Sequence, residues 1–380
     1  MPIPFIDLQA QRRAMGSALD EAMARVLDRG DFIQGQEVRE FEAALATFTG
    51  AGHVVSCASG TDALTLVGMA ENIGPGDAVF VPAFTFVATA EAFTVLGATP
   101  YFVDVLPDTF NMNPESLQDG IADAKAQGLN PRMVVAVDLF GQPADYNRLA
   151  PIAHENNMIL VADAAQALGG SLGGKRVGTL ADYTTTSFFP AKPLGCYGDG
   201  GAVLTDVADK AALIKSLTQH GKGSEKYDNL RVGLNSRLDT LQAAILIEKL
   251  KIYEGELRAR NDVAQRYSGA LSEIAQTPYL LADTQSCWAQ YTLKFEHRET
   301  AQENLKNAGV PSAVYYPMPL SQQGGYTQCP VVPGGVLVSE RLSGQVLSLP
   351  MHPYLDTDTQ STVINALKAA VGAPHHRLKS

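Results

Sequence analysis

Lys192 is the residue of this chain whose surroundings most favour covalent chemistry. It follows an aromatic run and is flanked by prolines and glycines, which let the backbone come close to a bound group. A lysine in such a place loses its proton readily and can form a Schiff base. The alternative is a surface lysine on a glycine-rich turn. Ser187, five residues earlier, could contact a phosphate, which weakens that alternative.

Asp163 lies within a second apolar run, which predicts a buried strand. A carboxylate there is costly to bury unless a partner holds it. The protonated ring nitrogen of a cofactor is one such partner. The alternative is an aspartate that caps the next loop. Asp163 precedes Lys192 by 29 residues, a separation on the scale of a βαβ unit.

A third candidate is Ser59-Gly60-Thr61-Asp62, which follows a predicted strand and opens a predicted helix. The start of a helix offers free N–H groups and the positive end of its dipole, and both favour phosphate. Gly60 permits close approach of the backbone, and the Thr61 hydroxyl can add a hydrogen bond. An ordinary N-cap with nothing bound is the alternative. A pyridinium partner, a Schiff-base lysine and a phosphate cradle are together the parts that pyridoxal phosphate (PLP) needs.

The elements that must position these residues alternate along the first two-thirds of the chain. Helical periodicity separates most of the short apolar runs, as at 61–71, 85–96, 114–127 and 144–155. This alternation predicts an α/β fold whose mostly parallel seven-stranded sheet is sandwiched by helices. The seven predicted strands are 54–57, 78–82, 99–105, 133–140, 158–165, 183–189 and 201–205.

The pattern changes near residue 237. Two long helices are predicted at 238–253 and 254–274, followed by shorter elements and a glycine- and proline-rich surface loop at 322–335. We therefore predict an N-terminal arm at 1–14, a large PLP-binding domain at 15–250 and a small α+β domain at 251–380. The shorter elements are strands at 291–295, 312–316 and 346–350 and helices at 300–308 and 359–371.

Composition excludes several classes of function. The 380 residues carry a net charge of −11 and are 46% hydrophobic and 18% charged, which is typical of a compact soluble protein. An acidic chain lacks the footprint of a nucleic-acid binder. The sequence shows no signal peptide and no apolar run long enough for a membrane span. Its four cysteines form no CxxC pair and its seven histidines are scattered, with His375 and His376 in a polar tail, so we expect no metal site and a cytoplasmic location.

Several segments, in order, resemble the fold-type I aminotransferases of the DegT/StrS family, which act on nucleotide-linked keto-sugars. The resemblance covers about residues 5 to 370. It is carried by 5–8 (FIDL), 59–64 (SGTDAL), 82–89 (PAFTFVAT), 163–166 (DAAQ), 187–192 (SFFPAK), 220–221 (HG) and 235–239 (NSRLD).

Three further strings resemble one branch of that family, which aminates UDP-2-acetamido-2-deoxy-3-oxo-D-glucuronate for surface polysaccharide (O-antigen). They are 192–201 (KPLGCYGDGG), 231–237 (RVGLNSR) and 347–355 (LSLPMHPYL). The chain departs from the branch at Tyr315-Tyr316-Pro317, where the branch tends to have His-Tyr before the proline. This difference concerns recognition of the sugar.

The resemblance implies a catalytic pair, Lys192 as general acid/base and Asp163 as partner of the ring nitrogen. It also implies that Gln166 bonds the phenolic oxygen of the cofactor and that Phe86 stacks on its ring, with Phe84 as the alternative. The implied cofactor-binding set is Gly60, Thr61, Phe86, Asp163, Gln166, Ser187, Lys192 and Asn235, and the implied sugar contacts are Arg237, Tyr315 and Tyr316.

The implied activity is transfer of an amino group from L-glutamate, which leaves as 2-oxoglutarate, to the keto-sugar. A homodimer with shared active sites is also implied, in which Asn235 reaches the cofactor phosphate of the partner subunit. An apolar stripe at Leu241, Ile245 and Leu250 could pack across the subunit boundary. The alternatives are a different UDP- or dTDP-linked 3-keto or 4-keto sugar, a PLP-dependent sugar dehydratase, or a non-catalytic regulator. Lys192 argues against the dehydratase, because those relatives typically have histidine there.

Overall fold

A seven-stranded sheet forms the centre of the protein, which is described by a computed structural model covering residues 3–225 and 227–372. The strands are β1 (His53–Cys57), β2 (Asp77–Pro82), β3 (Thr99–Val103), β4 (Asn130–Val137), β5 (Ile159–Asp163), β6 (Ser171–Leu172), β7 (Lys175–Arg176), β8 (Tyr183–Ser187), β9 (Gly201–Thr205), β10 (Thr284–Gln285), β11 (Tyr291–Lys294) and β12 (Val346–Leu349).

The central sheet has the order β1-β9-β8-β5-β4-β2-β3. Strand β9 runs antiparallel to both of its neighbours, and the other four pairings are parallel. Each of the seven apolar runs predicted as strands contributes one strand. The predicted α/β fold with a mostly parallel sheet is therefore confirmed.

Helices pack against this sheet, whose strands are largely buried; all six residues of β2, for example, are buried. The helices are α1 (Leu8–Ala14), α2 (Ala18–Arg29), α3 (Gln36–Thr49), α4 (Gly60–Ala70), α5 (Ala88–Thr94), α6 (Pro114–Ala126), α7 (Tyr146–Glu155), α8 (Ala208–Leu217), α9 (Thr240–Leu271), α10 (Arg298–Asn307), α11 (Leu337–Gln345) and α12 (Thr357–Gly372), with 3₁₀ turns at Leu139–Gly141 and Leu320–Gln322.

The two long helices predicted after residue 237 are one continuous helix, α9, so the predicted break was wrong. Gly255 lies inside this helix, where a glycine costs about 1 kcal/mol relative to alanine. Tyr253 and Arg260 on either side of it are buried, and their packing outweighs that cost. The domain boundary predicted at 250/251 falls within α9 and remains a prediction.

The apolar stripe of α9 packs inside the chain. Ile245 contacts Met15 and Leu19, and Leu241 packs against the cluster that contains Val26 of α2. Leu250 packs against the cluster that contains Phe41 of α3, and both Leu241 and Leu250 are only partly buried. That the stripe also reaches a subunit boundary remains a prediction.

One prediction in the C-terminal third also needs correction. Residues 312–316 form no strand; only Ala313 makes an isolated bridge, to Ser348. The predicted loop at 322–335 is irregular and mostly exposed, and it also bonds to strand β3, which is an edge of the sheet. The Phe102 N–H donates to the Pro330 carbonyl at 3.0 Å, and the Val332 N–H donates to the Phe102 carbonyl at 2.9 Å. This segment therefore protects an exposed strand edge.

The second half of α9 joins β11, β12, α10 and α12 around a smaller apolar core. The N-terminal arm touches this core through Ile3, and the Met351 N–H donates to the Phe5 carbonyl at 3.2 Å. Within the described residues, no helix is long and apolar enough to cross a membrane, and no group of His, Cys, Asp or Glu is placed to hold a metal ion. His375 and His376 lie outside the described residues.

Candidate active site

Asp163 is the last residue of β5, at the carboxyl edge of the sheet. The Thr89 hydroxyl donates to its Oδ2 at 2.8 Å, and the Ala165 N–H donates to its Oδ1 at 3.2 Å. Burial raises the pKa of the Asp163 carboxyl, whereas the hydrogen bonds from Thr89 and Ala165 and the charge of Lys192 lower it. A buried carboxylate held in this way is suited to pair with a cationic ring nitrogen.

Lys192 lies in the loop between β8 and β9, where its N–H donates to the Phe189 carbonyl at 2.8 Å. Burial lowers the pKa of the Lys192 ammonium, and the charge of Asp163 opposes that shift. A lowered pKa increases the fraction of free amine, which is the nucleophilic and basic form. The structure therefore brings Lys192 and Asp163 close enough to interact, as the sequence predicts.

Helix α4 begins beside Ser187, at the end of β8. Its N-cap is Ser59, whose Oγ accepts the Asp62 N–H at 3.1 Å. The N–H groups of Gly60 and Thr61 belong to the first turn and have no partner within the helix. A Cβ on Gly60 would lie 2.7 Å from Ser187 Cβ, so only glycine allows this approach. Free N–H groups and two hydroxyls at the start of a helix fit a phosphate.

Aromatic side chains form one wall of the site. Phe86 is 55% exposed, whereas Phe84 is 1% exposed. A ring that stacks on a cofactor needs an open face, so this difference favours Phe86 over Phe84. The ring of Tyr316 lies 6.3 Å from that of Phe86, and Tyr315 packs at 6.4 Å against Phe5 of the N-terminal arm.

Gln166 links this wall to the sheet. Its Oε1 accepts the Phe140 N–H at 2.7 Å, and its Nε2 donates to the Tyr316 hydroxyl at 3.2 Å. One N–H of Nε2 remains for a ligand. The structure thus brings Tyr316 into the site beside Gln166, whereas Tyr315 lies one residue further out.

Asn235 and Arg237 contact each other, because the Arg237 guanidinium donates to Asn235 Oδ1. Neither side chain contacts Lys192 or Asp163 among the described residues. Ser236 between them is buried, and its Oγ accepts the Ala58 N–H at 3.1 Å, just before the α4 cradle. The backbone therefore lies against the cradle, while the Asn235 side chain is exposed.

Sequence reasoning missed two residues of this site, Thr89 and Asp138. Thr89 stands three residues after Phe86, the spacing of one helical turn, and this spacing could have indicated a shared face. Asp138 directly follows β4 and interrupts the apolar run predicted as a strand at 133–140. Its Oδ1 accepts the Ala144 N–H at 2.8 Å and the Tyr146 hydroxyl at 2.7 Å, while its buried Oδ2 has no partner among the described residues. Burial, with a smaller contribution from Asp163, raises the pKa of Asp138 to about 7.

Comparison with known proteins decides the family. Residues 14–368 match the DegT/DnrJ/EryC1/StrS aminotransferase family. The chain belongs to this family. The UDP-2-acetamido-2-deoxy-3-oxo-D-glucuronate aminotransferase of Pseudomonas aeruginosa is 44% identical over 366 residues, 96% of this chain and 99% of that protein.

Solved structures agree. A DegT/DnrJ/EryC1/StrS aminotransferase from Brucella abortus superposes with a TM-score of 0.96 at 47% identity, covering 97% of this chain and 100% of that one. NtdA from Bacillus subtilis, solved with the cofactor PMP bound, gives a TM-score of 0.86 at 27% identity over 97% of this chain and 83% of that one. This DegT-family chain is therefore a PLP-dependent sugar aminotransferase, and the predictions of family, enzyme class and cofactor are confirmed.

Proposed function

We propose that this aminotransferase moves an amino group from L-glutamate to UDP-2-acetamido-2-deoxy-3-oxo-D-glucuronate, in the synthesis of surface polysaccharide (O-antigen). The match to the Pseudomonas aeruginosa enzyme along nearly the whole of both chains carries the choice of substrate. The alternative within the family is another UDP- or dTDP-linked 3-keto or 4-keto sugar.

The residues at the carboxyl edge of the sheet fit PLP. Lys192 would hold the cofactor covalently through Nζ, and Asp163 would pair with its ring nitrogen. The first turn of α4, with Thr61 and Ser187, would bind its phosphate. Once bound, PLP supplies an electron sink that stabilises negative charge on the reacting carbon.

Lys192 then has a second task. Its free Nζ would remove the proton from the substrate carbon that bears the amino group. Burial lowers the pKa of Lys192 and so favours the free amine, while the negative charge of Asp163 partly offsets this shift. General bases work best when their pKa lies near the working pH. We therefore assign proton transfer at the substrate carbon to Lys192.

The remaining residues orient the bound groups. The free N–H of Gln166 would donate to the phenolic oxygen of PLP, and Phe86 would cover one face of its ring. Arg237 would pair with the sugar carboxylate, because its planar fork suits bidentate contact. Tyr316 and Tyr315 would contact the sugar, with Tyr315 in the place where the closest branch tends to have histidine.

We also propose a cytoplasmic homodimer with shared sites. The segment before Asn235 exposes apolar side chains: Leu230 is 62% and Val232 is 86% exposed. Exposed apolar residues of this kind favour an interface with another chain. Asn235 itself is exposed, and in the proposed dimer it would reach the phosphate site of the partner.

The test is a half-reaction screen. Enzyme loaded with glutamate is freed of excess donor and mixed with a panel of UDP- and dTDP-linked keto-sugars, and the absorbance of the lysine-bound cofactor is followed. We expect the band to be lost with glutamate and to return fastest with the 3-oxo-glucuronate. Faster return with a neutral 3-keto or 4-keto sugar would contradict the substrate, and an unchanged band on adding glutamate would contradict the donor. A regulator without activity would show no response to any amino donor.

A further inference from the structure

The loop that carries Lys192 has no helix or strand of its own. We call residues 188–200 the lysine loop. It closes on itself through three backbone hydrogen bonds: Phe188 N–H to Gly200 carbonyl at 2.7 Å, Lys192 N–H to Phe189 carbonyl at 2.8 Å, and Cys196 N–H to Phe188 carbonyl at 2.8 Å. Its shape otherwise depends on the elements that it touches, as expected of a loop.

Gly195 is the tightest point of the lysine loop. A Cβ at this residue would lie 2.6 Å from the carbonyl oxygens of both Phe189 and Pro190. These two carbonyls belong to the turn that immediately precedes Lys192. The position of the Gly195 backbone is thus coupled by direct contact to that turn.

Helix α9 holds the lysine loop at two points. Gln242 and Lys249 are seven residues apart, two helical turns, and therefore lie on one face of α9. The Tyr197 N–H donates to Gln242 Oε1 at 2.8 Å, and Lys249 Nζ donates to the Gly195 carbonyl at 2.6 Å. Lys249 Nζ also lies 4.3 Å from the centroid of the Tyr197 ring.

Burying the Lys249 ammonium between α9 and the lysine loop costs free energy. Its side chain is 0% exposed, and no carboxylate lies within 4 Å of its Nζ among the described residues. Burial lowers the pKa of the Lys249 ammonium to about 8, although Glu256 and Cys196 raise it. A methionine of similar length would fill the space without the cost of burying a charge. A lysine adds the hydrogen bond to the buried Gly195 carbonyl and the contact with the half-exposed Tyr197 ring, and both hold the lysine loop.

We propose that Lys249 is a positioning residue that fixes the Gly195 carbonyl and thereby the orientation of Lys192. The same helix continues into the smaller core, where Tyr267 donates through its hydroxyl to the Pro350 carbonyl at 3.0 Å. Lys249 thus ties the reactive lysine to the element that joins the two cores. The proposal rests on the assignment of Lys192 made above.

The test is the rate at which apoenzyme captures PLP on Lys192. Protein stripped of cofactor is mixed with PLP, samples are reduced with borohydride at intervals, and the modified lysine is located and quantified by mass spectrometry. Lys249→Met keeps the length of the side chain but removes the donor. We expect capture at least about tenfold slower than in wild type, since small misplacements of a reacting group cost up to about 100-fold. In the loaded variant we expect kcat to fall while both KM values stay within about twofold.

Two further variants show whether the contact matters. Lys249→Arg restores a donor and should recover most of the capture rate. Gln242→Met removes the other contact of α9 with the lysine loop, at the N–H of exposed Tyr197, where water can replace the lost acceptor. Its effect should be under about threefold, because the buried Gly195 carbonyl has no such replacement.

The proposal is overturned if folded Lys249→Met captures PLP at the wild-type rate, or if Gln242→Met is equally slow. If Lys249→Met does not fold, Lys249→Gln takes its place, since its shorter side chain falls short of Gly195; wild-type capture there overturns the proposal equally. If wild-type protein captures PLP on a different lysine, the assignment of Lys192 fails as well. That result is distinguishable, because it appears without any substitution.

Discussion

The proposed site has two halves that differ in how deeply the fold buries them. The strand-end half consists of Gly60, Thr61, Asp163, Ser187 and Lys192, which meet at the carboxyl edge of the sheet. The outer segment consists of residues 230–237, with Asn235 and Arg237 at its end. Asp163 in the first half is buried and receives two hydrogen bonds within the chain. Leu230, Val232 and Asn235 in the second are exposed.

The difference in burial indicates which part of the active site one subunit forms by itself and which part would need a second subunit. The strand-end half is built within one chain: the parallel register of β5 and β8 pairs Asp163 with Thr185 and so aligns the ends of the two strands, and α4 and the lysine loop add the remaining residues. The outer segment is anchored by buried Ser236, yet Asn235 beside it faces away from that anchor. We infer that the strand-end half carries out the chemistry. The outer segment would complete the active site of a second subunit.

The largest expected effect tests the strand-end half. Lys192→Ala should abolish transamination and leave the fold intact, because the proposed site assigns both the covalent hold on the cofactor and the proton transfer to the Lys192 amine. Single-turnover assays with glutamate measure the first, and circular dichroism measures the second. Turnover like that of wild type in a folded Lys192→Ala would refute the assignment of the site.

Asp163→Asn should come next, with a loss of activity of about 100- to 1,000-fold and retained binding of PLP. An amide cannot hold a proton on the ring nitrogen, and preorganised electrostatics supply several kcal/mol to such reactions. The measurement is kcat together with cofactor content after dialysis. A variant that keeps more than half of wild-type kcat would contradict the role, because the barrier would then have changed by less than about 0.5 kcal/mol.

How much of this could be predicted follows the same division. The strands were predictable because most of them lie in short apolar runs, and Lys192 and Asp163 because unusual residues stand at or after the ends of those runs. The continuity of α9 was not predictable from the sequence. Gly255 locally disfavours a helix, and the burial of Tyr253 and Arg260, which compensates for it, depends on tertiary packing. The pairing of residues 330–332 with the edge of β3 was not predictable either, because local pattern cannot show which strand edge needs cover.

Thr89, Asp138 and Lys249 were missed for a related reason. Thr89 acts on Asp163, and Lys249 acts on the lysine loop 54 residues before it. Asp138 bonds to nearby Ala144 and Tyr146, but the pairing of β4 with β5 is what brings it beside Asp163. Which residues meet in this way depends on how elements pack, and the spacing of Thr89 from Phe86 indicates only a shared helix face.

A mixing experiment tests the outer segment. Lys192→Ala and Asn235→Asp subunits, each inactive alone, are unfolded mildly, mixed and refolded. If sites are shared, one subunit contributes Lys192 and the other Asn235 to a single good site per heterodimer. Random pairing makes half of the dimers mixed, so we expect about a quarter of wild-type activity to return.

The controls for this experiment are specific. Asn235→Asp is chosen because a carboxylate repels the cofactor phosphate, and it must be shown to be inactive by itself. Native mass spectrometry must show that mixed dimers have formed. Mixed dimers without recovered activity would mean that Asn235 serves its own subunit. The two halves would then differ in solvent exposure but not in which subunit they serve.

The smallest effect concerns Asp138, the buried carboxyl beside Asp163, and it is one of stability. Its folded pKa is about 7, against about 3.9 for an unfolded aspartate. Between these values the folded protein holds the extra proton, so the stabilisation from this group is complete below about pH 4 and is lost as the pH rises through about 7. The slope is at most about 1.4 kcal/mol per pH unit.

Asp138→Asn keeps the acceptor for Ala144 and Tyr146 but does not titrate. Its stability relative to wild type, measured by urea unfolding from pH 5 to 8, should therefore rise with pH and level off above about 7. Asp283→Asn is the matched control, because Asp283 is exposed and its φ of 57° is one that asparagine tolerates. Curves for wild type and Asp138→Asn that stay parallel throughout would show that Asp138 is ionised in the folded protein, and that the strand-end half carries two buried negative charges instead of one.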